Sequence, residues 1–150
     1  MVVIRRIGIT LDYQKISYIV AEGELEVLVT LAEELLQAAE IKVIQEPAAS
    51  LVMMRALESV QGYPFNLGEV LITECVVEVN GVPGKGFALG DEPERALCLA
   101  LFDAATRGNH PLTARIMAVL REEEDKIRRR ERAEFSLVSR TRVEFEVMNP

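Results

Sequence analysis

The sequence predicts an α+β domain: a mainly antiparallel β-sheet with N-terminal helices ahead of it and two later helices packed on it. Three observations predict this. Apolar residues recur at three- and four-residue spacing near the start of the chain and again after Pro93. Between these zones apolar and polar residues alternate, and Asn80-Gly81 supplies the strongest short-range hairpin signal. No repeat or low-complexity linker divides the 150 residues, so 1–150 reads as a single domain. An apolar fraction of 49% excludes disorder. A chain of this length buries roughly 70% of its unfolded surface, so its core needs neither disulfide nor metal.

The first helix contains Tyr13, Ile16, Ile19 and Val20, and Gly23 separates it from the second. Leu25, Leu28, Ala32, Leu35 and Ala39 share one face of that second helix, and Glu22, Glu24 and Glu26 near its start suit the positive end of the dipole. Val27, Val29 and Leu31 lie outside the stripe, which predicts packing against two surfaces. Strands follow at 41–45 and 51–60 with a break at Glu46-Pro47, then a long strand at 69–79 and its return at 84–89. Along the long strand Leu71, Cys75, Val77 and Val79 face one way, and Val70, Ile72 and Val76 the other. Two apolar faces call for cover on both sides, by helices, another sheet or another chain. Asp91-Glu92-Pro93-Glu94 opens a helix over 96–105, and Gly108-Asn109-His110-Pro111 ends it. A long helix over 112–135 turns Ile116, Val119, Leu120 and Ile127 inward. Glu122 with Lys126, Glu124 with Arg128 and Asp125 with Arg129 form i,i+4 pairs worth about 0.2–0.5 kcal/mol each. Thr141, Val143, Phe145 and Val147 alternate with charge as a last strand.

A net charge of −7 opposes general affinity for nucleic acid. The N-terminus breaks into charge at Arg5-Arg6, and no apolar run reaches the ~18 residues a membrane span requires, so the expectation is a cytoplasmic chain. Cys75 and Cys98 match no zinc spacing and read as buried small hydrophobes, and the lone His110 leaves no histidine site; metal and cofactor are both expected to be absent. The stretch from Gly81 to Gly86 fails as a phosphate loop, because Val79 replaces the first glycine and Gly86 follows Lys85; its glycines read as hairpin residues supplying positive φ. Lys126, Arg128, Arg129, Arg130 and Arg132 are candidate anion-binding residues, against a solvated face neutralised by the acidic turn before them. Asp103 and His110 are the nearest to an acid or base, but no cluster joins nucleophile, base and anion hole, so no catalytic residue is expected. The segment Tyr63, Pro64, Phe65, Asn66, Leu67, Gly68 and Glu69 reads as a loop between two long strands. Its aromatic residues suit a partner-binding surface, and equally a plug over the domain's own core.

Pro64-Phe65-Asn66-Leu67-Gly68-Glu69, with Thr73 four residues on, resembles the signature of the PhnG family of the carbon–phosphorus lyase system. Leu51-Val52-Met53-Met54-Arg55 is similar to the family's first long strand, and Gly84, Gly86 and Leu89-Gly90 to its return strand. Ala100-Leu101-Phe102-Asp103-Ala104 is similar to a family helix, and Thr141-Arg142-Val143-Glu144-Phe145 with Met148 to the terminal strand. The chain departs from the pattern at Ala49-Ser50, at Glu74 in place of arginine, and at Arg95-Ala96-Leu97 in place of a histidine-alanine-glutamate triplet. The resemblance implies a core complex with PhnI-, PhnH- and PhnJ-like subunits. It also implies that the chain assists PhnI, with PhnH and PhnL, in replacing the adenine of ATP by an alkylphosphonate to form ribose 1-alkylphosphonate 5-triphosphate. In the family that chemistry is ascribed to PhnI, and PhnG has no assigned catalytic centre. A homo-oligomer of the isolated chain is the further partner expectation. The alternatives from other classes are a stand-alone anion- or nucleotide-binding protein and, last, a hydrolase built on Asp103 or His110.

Overall fold

The computed structural model describes residues 12–141. In chain order these form α1 (Tyr13–Glu22), α2 (Leu25–Ala38), β1 (Ile41–Leu57), β2 (Pro64–Val79), β3 (Val82–Leu89), α3 (Pro93–Arg107) and α4 (Thr113–Ser139). The strands make one antiparallel sheet in the order β1-β2-β3, which is the predicted α+β class. The alternating segment after Thr141 lies outside the described residues. Among the described residues no helix is long and apolar enough to cross a membrane.

Asp12 starts α1 by accepting the Lys15 N–H on its carboxylate at 2.9 Å, and α1 stops at Gly23. Glu22 therefore closes α1 instead of opening α2, and its carboxylate takes Arg130 Nη2 at 2.9 Å. On α2, Leu28, Leu31, Ala32 and Leu35 are buried while Leu25 and Ala39 are half-buried. Leu31, outside the predicted stripe, widens that one buried face, and Val27 and Val29 are half-buried.

β1 corrects the two-strand reading. It runs unbroken through Glu46-Pro47, because the register shifts between Val43 and Gln45 and between Gln45 and Ala48. Those bulges leave the proline without a ladder partner on an edge strand, where a missing N–H is tolerated. Val60 falls in the following turn, and β2 begins at Pro64, five residues earlier than predicted. Asn80 and Gly81 adopt φ of 50° and 80°, and Val79 pairs with Val82 across this two-residue turn.

Gly84 and Gly86 are not turn residues, since neither has positive φ. They are sites of close approach. A Cβ on Gly84 would stand 2.1 Å from the Ala100 carbonyl oxygen, and one on Gly86 1.8 Å from that of Ala96. The small ridge Ala96, Ala100 and Ala104 on α3 thus lies directly on β3. From this contact the core builds outward. Thr73, Cys75, Val77 and Val79 on one face of β2 meet α3, which is buried from Cys98 to Thr106, and α1, α2 and α4 pack outside it. Among the described residues, helices cover only that face of the sheet. Val70, Ile72 and Val76 on the other are half-buried, and Leu71, on the helix side, is 42% exposed.

Candidate functional site: an uncovered β-arm

β3 pairs with β2 only from Ile72 to Val79. β1 and β2 continue together from Leu51/Leu71 to Leu57/Pro64, a two-stranded arm of seven β1 residues, about 23 Å at the usual strand rise. A turn closes it. Glu58 N–H donates to the Tyr63 carbonyl at 2.9 Å, and the Glu58 carboxylate accepts the N–H groups of Val60 and Gln61 at 2.7 and 2.9 Å. Gly62 sits in this turn with φ of +71°.

Partners across the ladder point to the same side, and sides alternate. Val52 with Val70, Ala56 with Phe65, and Met54 with Gly68 therefore share one face. The register shift between Met54 and Arg55 makes Leu67 the extra residue. That face continues into Ile72 and Leu89 and carries no charge over the whole arm. The opposite face holds Leu51 with Leu71, Met53 with Glu69, Arg55 with Asn66, and Leu57 with Pro64.

Within β1's share of the arm, only Ala56 is less than exposed. Leu57, Val60, Tyr63 and Leu67 are each more than half exposed. The arm's large apolar side chains together leave on the order of 1,000 Å² exposed, divided between its two faces and the turn. Tyr63, Pro64, Phe65, Asn66, Leu67 and Glu69 are all exposed, and Gly68 is half-buried. Tyr63 and Phe65 do not plug the domain's own core, and six of the seven segment residues belong to a paired strand, correcting the loop reading. Pro64 at the strand's first position and the bulge at Leu67-Gly68 let loop-type residues occupy it.

The basic stretch on α4 is distributed differently. Lys126 Nζ lies 2.6 Å from Glu123 Oε1 and 3.7 Å from Glu24 Oε2, in place of the predicted Glu122 pair. Glu123 is buried and also accepts the Glu24 N–H at 3.0 Å. Burial pushes its carboxyl up, but the Lys126 ammonium and that N–H outweigh burial and hold it below 4.5. Arg128 pairs with Glu124 as predicted, Arg130 with Glu22, and Arg129 Nε donates to the Asp125 carbonyl at 3.2 Å. Lys126 and Arg130 line one hollow beside Glu22, Glu24 and Glu123; Arg128 and Arg132 line another beside Glu131 and Phe135. The first hollow brings three carboxylates and the second one, and these compete with any anion.

Asp103 bridges elements. Its Oδ2 accepts the Lys85 N–H at 3.1 Å, and its Oδ1 meets Arg107 Nε at 3.2 Å. Tyr13 donates its hydroxyl to the Lys85 carbonyl at 3.0 Å, and burial, with the Asp103 charge, pushes the phenol up to about 12. His110 Nδ1 accepts the Leu112 N–H at 3.1 Å in the turn before α4. Cys75 and Cys98 are buried thiols; burial, with the Glu94 charge, takes Cys98 up to about 12. Among the described residues no group of three His, Cys, Asp or Glu side chains is placed to hold a metal ion.

Two polar residues whose long-range partners the sequence concealed fix helix ends, one from the sheet and one from a neighbouring helix. Thr73, fully buried, donates to the Gly90 carbonyl at 2.7 Å and accepts the Glu92 N–H at 2.9 Å, fixing the start of α3. Arg95 Nη1 donates to the carbonyls of Val20 and Gly23, at 2.5 and 3.0 Å, where α1 ends. Only a long-range contact explains either, so local patterning gave no signal.

The family described as phosphonate metabolism protein PhnG matches residues 13–149. Over 66 residues the chain is 38% identical to a protein of Rhizobium meliloti (strain 1021) named alpha-D-ribose 1-methylphosphonate 5-triphosphate synthase subunit PhnG. The matched stretch is 43% of this chain and 42% of that protein's length.

Proposed function

The chain belongs to the PhnG family of phosphonate metabolism proteins, and from that premise we propose that it is a subunit of a carbon–phosphorus lyase core complex. There it assists a PhnI-like subunit, alongside PhnH- and PhnJ-like chains, in forming ribose 1-alkylphosphonate 5-triphosphate from ATP and an alkylphosphonate. It supplies no catalytic side chain of its own; it steadies or completes a site on its partner. The relative from Rhizobium meliloti carries the name of a subunit of such a synthase, which supports the reading.

The observation that carries it is the arm. An isolated two-stranded hairpin is marginal in water at best, and this one exposes apolar side chains on both faces. A partner surface seated on it supplies the missing cover. Tyr63, Phe65 and Leu67 are the anchors, since exposed aromatic residues that become fully desolvated carry most of an interface's energy. Pro64, Asn66, Gly68 and Glu69 set the strand start, the bulge and a charge at the rim.

Co-expression with a PhnI-like chain tests this. The wild-type chain is expected to co-purify with it at micromolar concentration. Phe65→Glu, which replaces an exposed side chain and so spares the fold, is expected to weaken the complex about 30-fold or more, the ratio that ~2 kcal/mol represents. A wild-type chain that ignores its partner, or a Phe65→Glu complex of undiminished affinity, refutes the proposal.

A further inference from the structure

We propose that the outer edge of β1 over residues 48–57 pairs with the same edge of a second copy of this chain, joining two arms into a four-stranded antiparallel sheet. This goes beyond the subunit role and uses a different surface, leaving the tip around Tyr63 and Phe65 to the heterologous partner.

The two halves of β1 are built differently. Among the described residues no strand pairs with its outer edge. Free edges in soluble proteins are blunted by charge, proline and bulges. The half beside the helices carries all three: Lys42, Glu46, Pro47 and the register shifts around Gln45. The half along the arm carries almost none. From Ala48 to Met54 it pairs with β2 in continuous register, its extra residue at the next shift lies on β2, and its one charge is Arg55. Protection thus stops where the arm begins, the pattern expected if this stretch of edge is covered by another strand.

The segment is complementary to itself. A two-fold axis at Val52 or Met53, the middle of the segment, aligns like faces in an antiparallel pair: about Val52, Leu51 meets Met53 of the copy and Val52 meets Val52; about Met53, Val52 meets Met54 and Met53 meets Met53. Arg55 then stands opposite Leu51 or Ala49, never opposite a second Arg55. The chain's net charge of −7 resides mainly in the helical body, and screening within about 8 Å at physiological salt limits repulsion between two bodies. On β1 itself Leu51, Val52, Met53 and Met54 are all exposed beside the unpaired edge, so pairing of two edges brings apolar side chains of both copies together.

Sedimentation equilibrium of the full chain between 1 and 100 µM tests this, with circular dichroism confirming the fold of each variant. The wild type is expected to be a dimer. Met53→Lys and Met53→Glu each place like charges on neighbouring cross-strand positions and are expected to weaken the dimer 100-fold or more, while an equimolar mixture of the two restores it. Leu51→Lys, on the same face, replaces Met53→Lys should that variant unfold. A monomeric wild type at 100 µM, an oligomer other than a dimer, an unweakened Met53→Lys dimer, or a mixture that stays monomeric overturns the proposal. Binding of Met53→Lys to the PhnI-like chain is expected to persist, which separates this result from failure of the subunit reading.

Discussion

Gly86→Ala is the sharpest test of how α3 is seated on the sheet. The added Cβ would stand 1.8 Å from the Ala96 carbonyl oxygen and 2.8 Å from the Ala100 nitrogen, whereas ordinary contact starts near 3.4 Å. Both obstacles are backbone, so no rotamer change relieves them, and α3 must back away from β3 by roughly 1.5 Å, an overpacking strain of the costliest kind. Retreat also stretches the Asp103 bond to the Lys85 N–H and loosens the ridge of Ala96, Ala100 and Ala104. Overpacking usually costs about 1–3 kcal/mol, and the upper end, about 3 kcal/mol, is expected here. For a chain of this size that lowers Tm by about 6–12 °C. Urea and thermal unfolding followed at 222 nm read both quantities. Gly81→Asn is the control: Gly81 has φ of +80° and nothing within 4 Å of an added Cβ, and asparagine tolerates that conformation, so a Tm change under about 2 °C is expected. A Gly86→Ala protein melting within 2 °C of wild type would refute the close-approach account.

Thr73→Val keeps the shape of a fully buried side chain but leaves the Glu92 N–H and the Gly90 carbonyl without the hydroxyl. A loss of about 1–3 kcal/mol in urea unfolding is expected, with the m-value unchanged. The Glu123 carboxyl, held below 4.5 by Lys126 and the Glu24 N–H against burial, contributes stability that is complete above its ordinary value and is lost as pH falls through the lowered one. The Tm difference between wild type and Glu123→Gln should therefore be largest above pH 4.5 and close below it; a difference that widens on acidification would contradict the assignment.

What could be read from the sequence was local. Asn80-Gly81 announces its turn because the positive φ it supplies belongs to those two residues alone. The inward stripe of α4 and the helix break at Gly23 were equally legible. Glu46-Pro47 misled because proline ends a central strand yet survives on an edge, and edge status is decided by which strands pair, not by the neighbours in sequence. Gly84 and Gly86 misled for a related reason: the demand for glycine comes from α3, at least ten residues later in the chain. Spacing alone pairs Lys126 with Glu122, but the burial of Glu123 makes it the carboxylate with more to gain from a cation. The arm's composition was visible from the start. Its conformation was not, because Pro64, Asn66 and Gly68 are the residues that usually mark a loop.

The residues that carry the family resemblance divide into two groups once their contacts are known. Thr73 holds the start of α3, Gly84 and Gly86 admit that helix to the sheet, and Asp103 ties β3 to it. Each has an internal structural reason to be what it is. Two of the departures are absorbed internally as well: Arg95 binds the last carbonyls of α1, and Glu74 accepts the Ser50 hydroxyl at 2.5 Å. Packing within one chain therefore accounts for these positions and says nothing about a partner. It does not account for Tyr63, Phe65 or Leu67, which are exposed. Apolar residues in a strand that the core does not use cost solubility, so their presence has to be explained by something outside the chain. The arm is where the fold stops accounting for its own sequence, and that is the physical ground for placing the subunit contacts there.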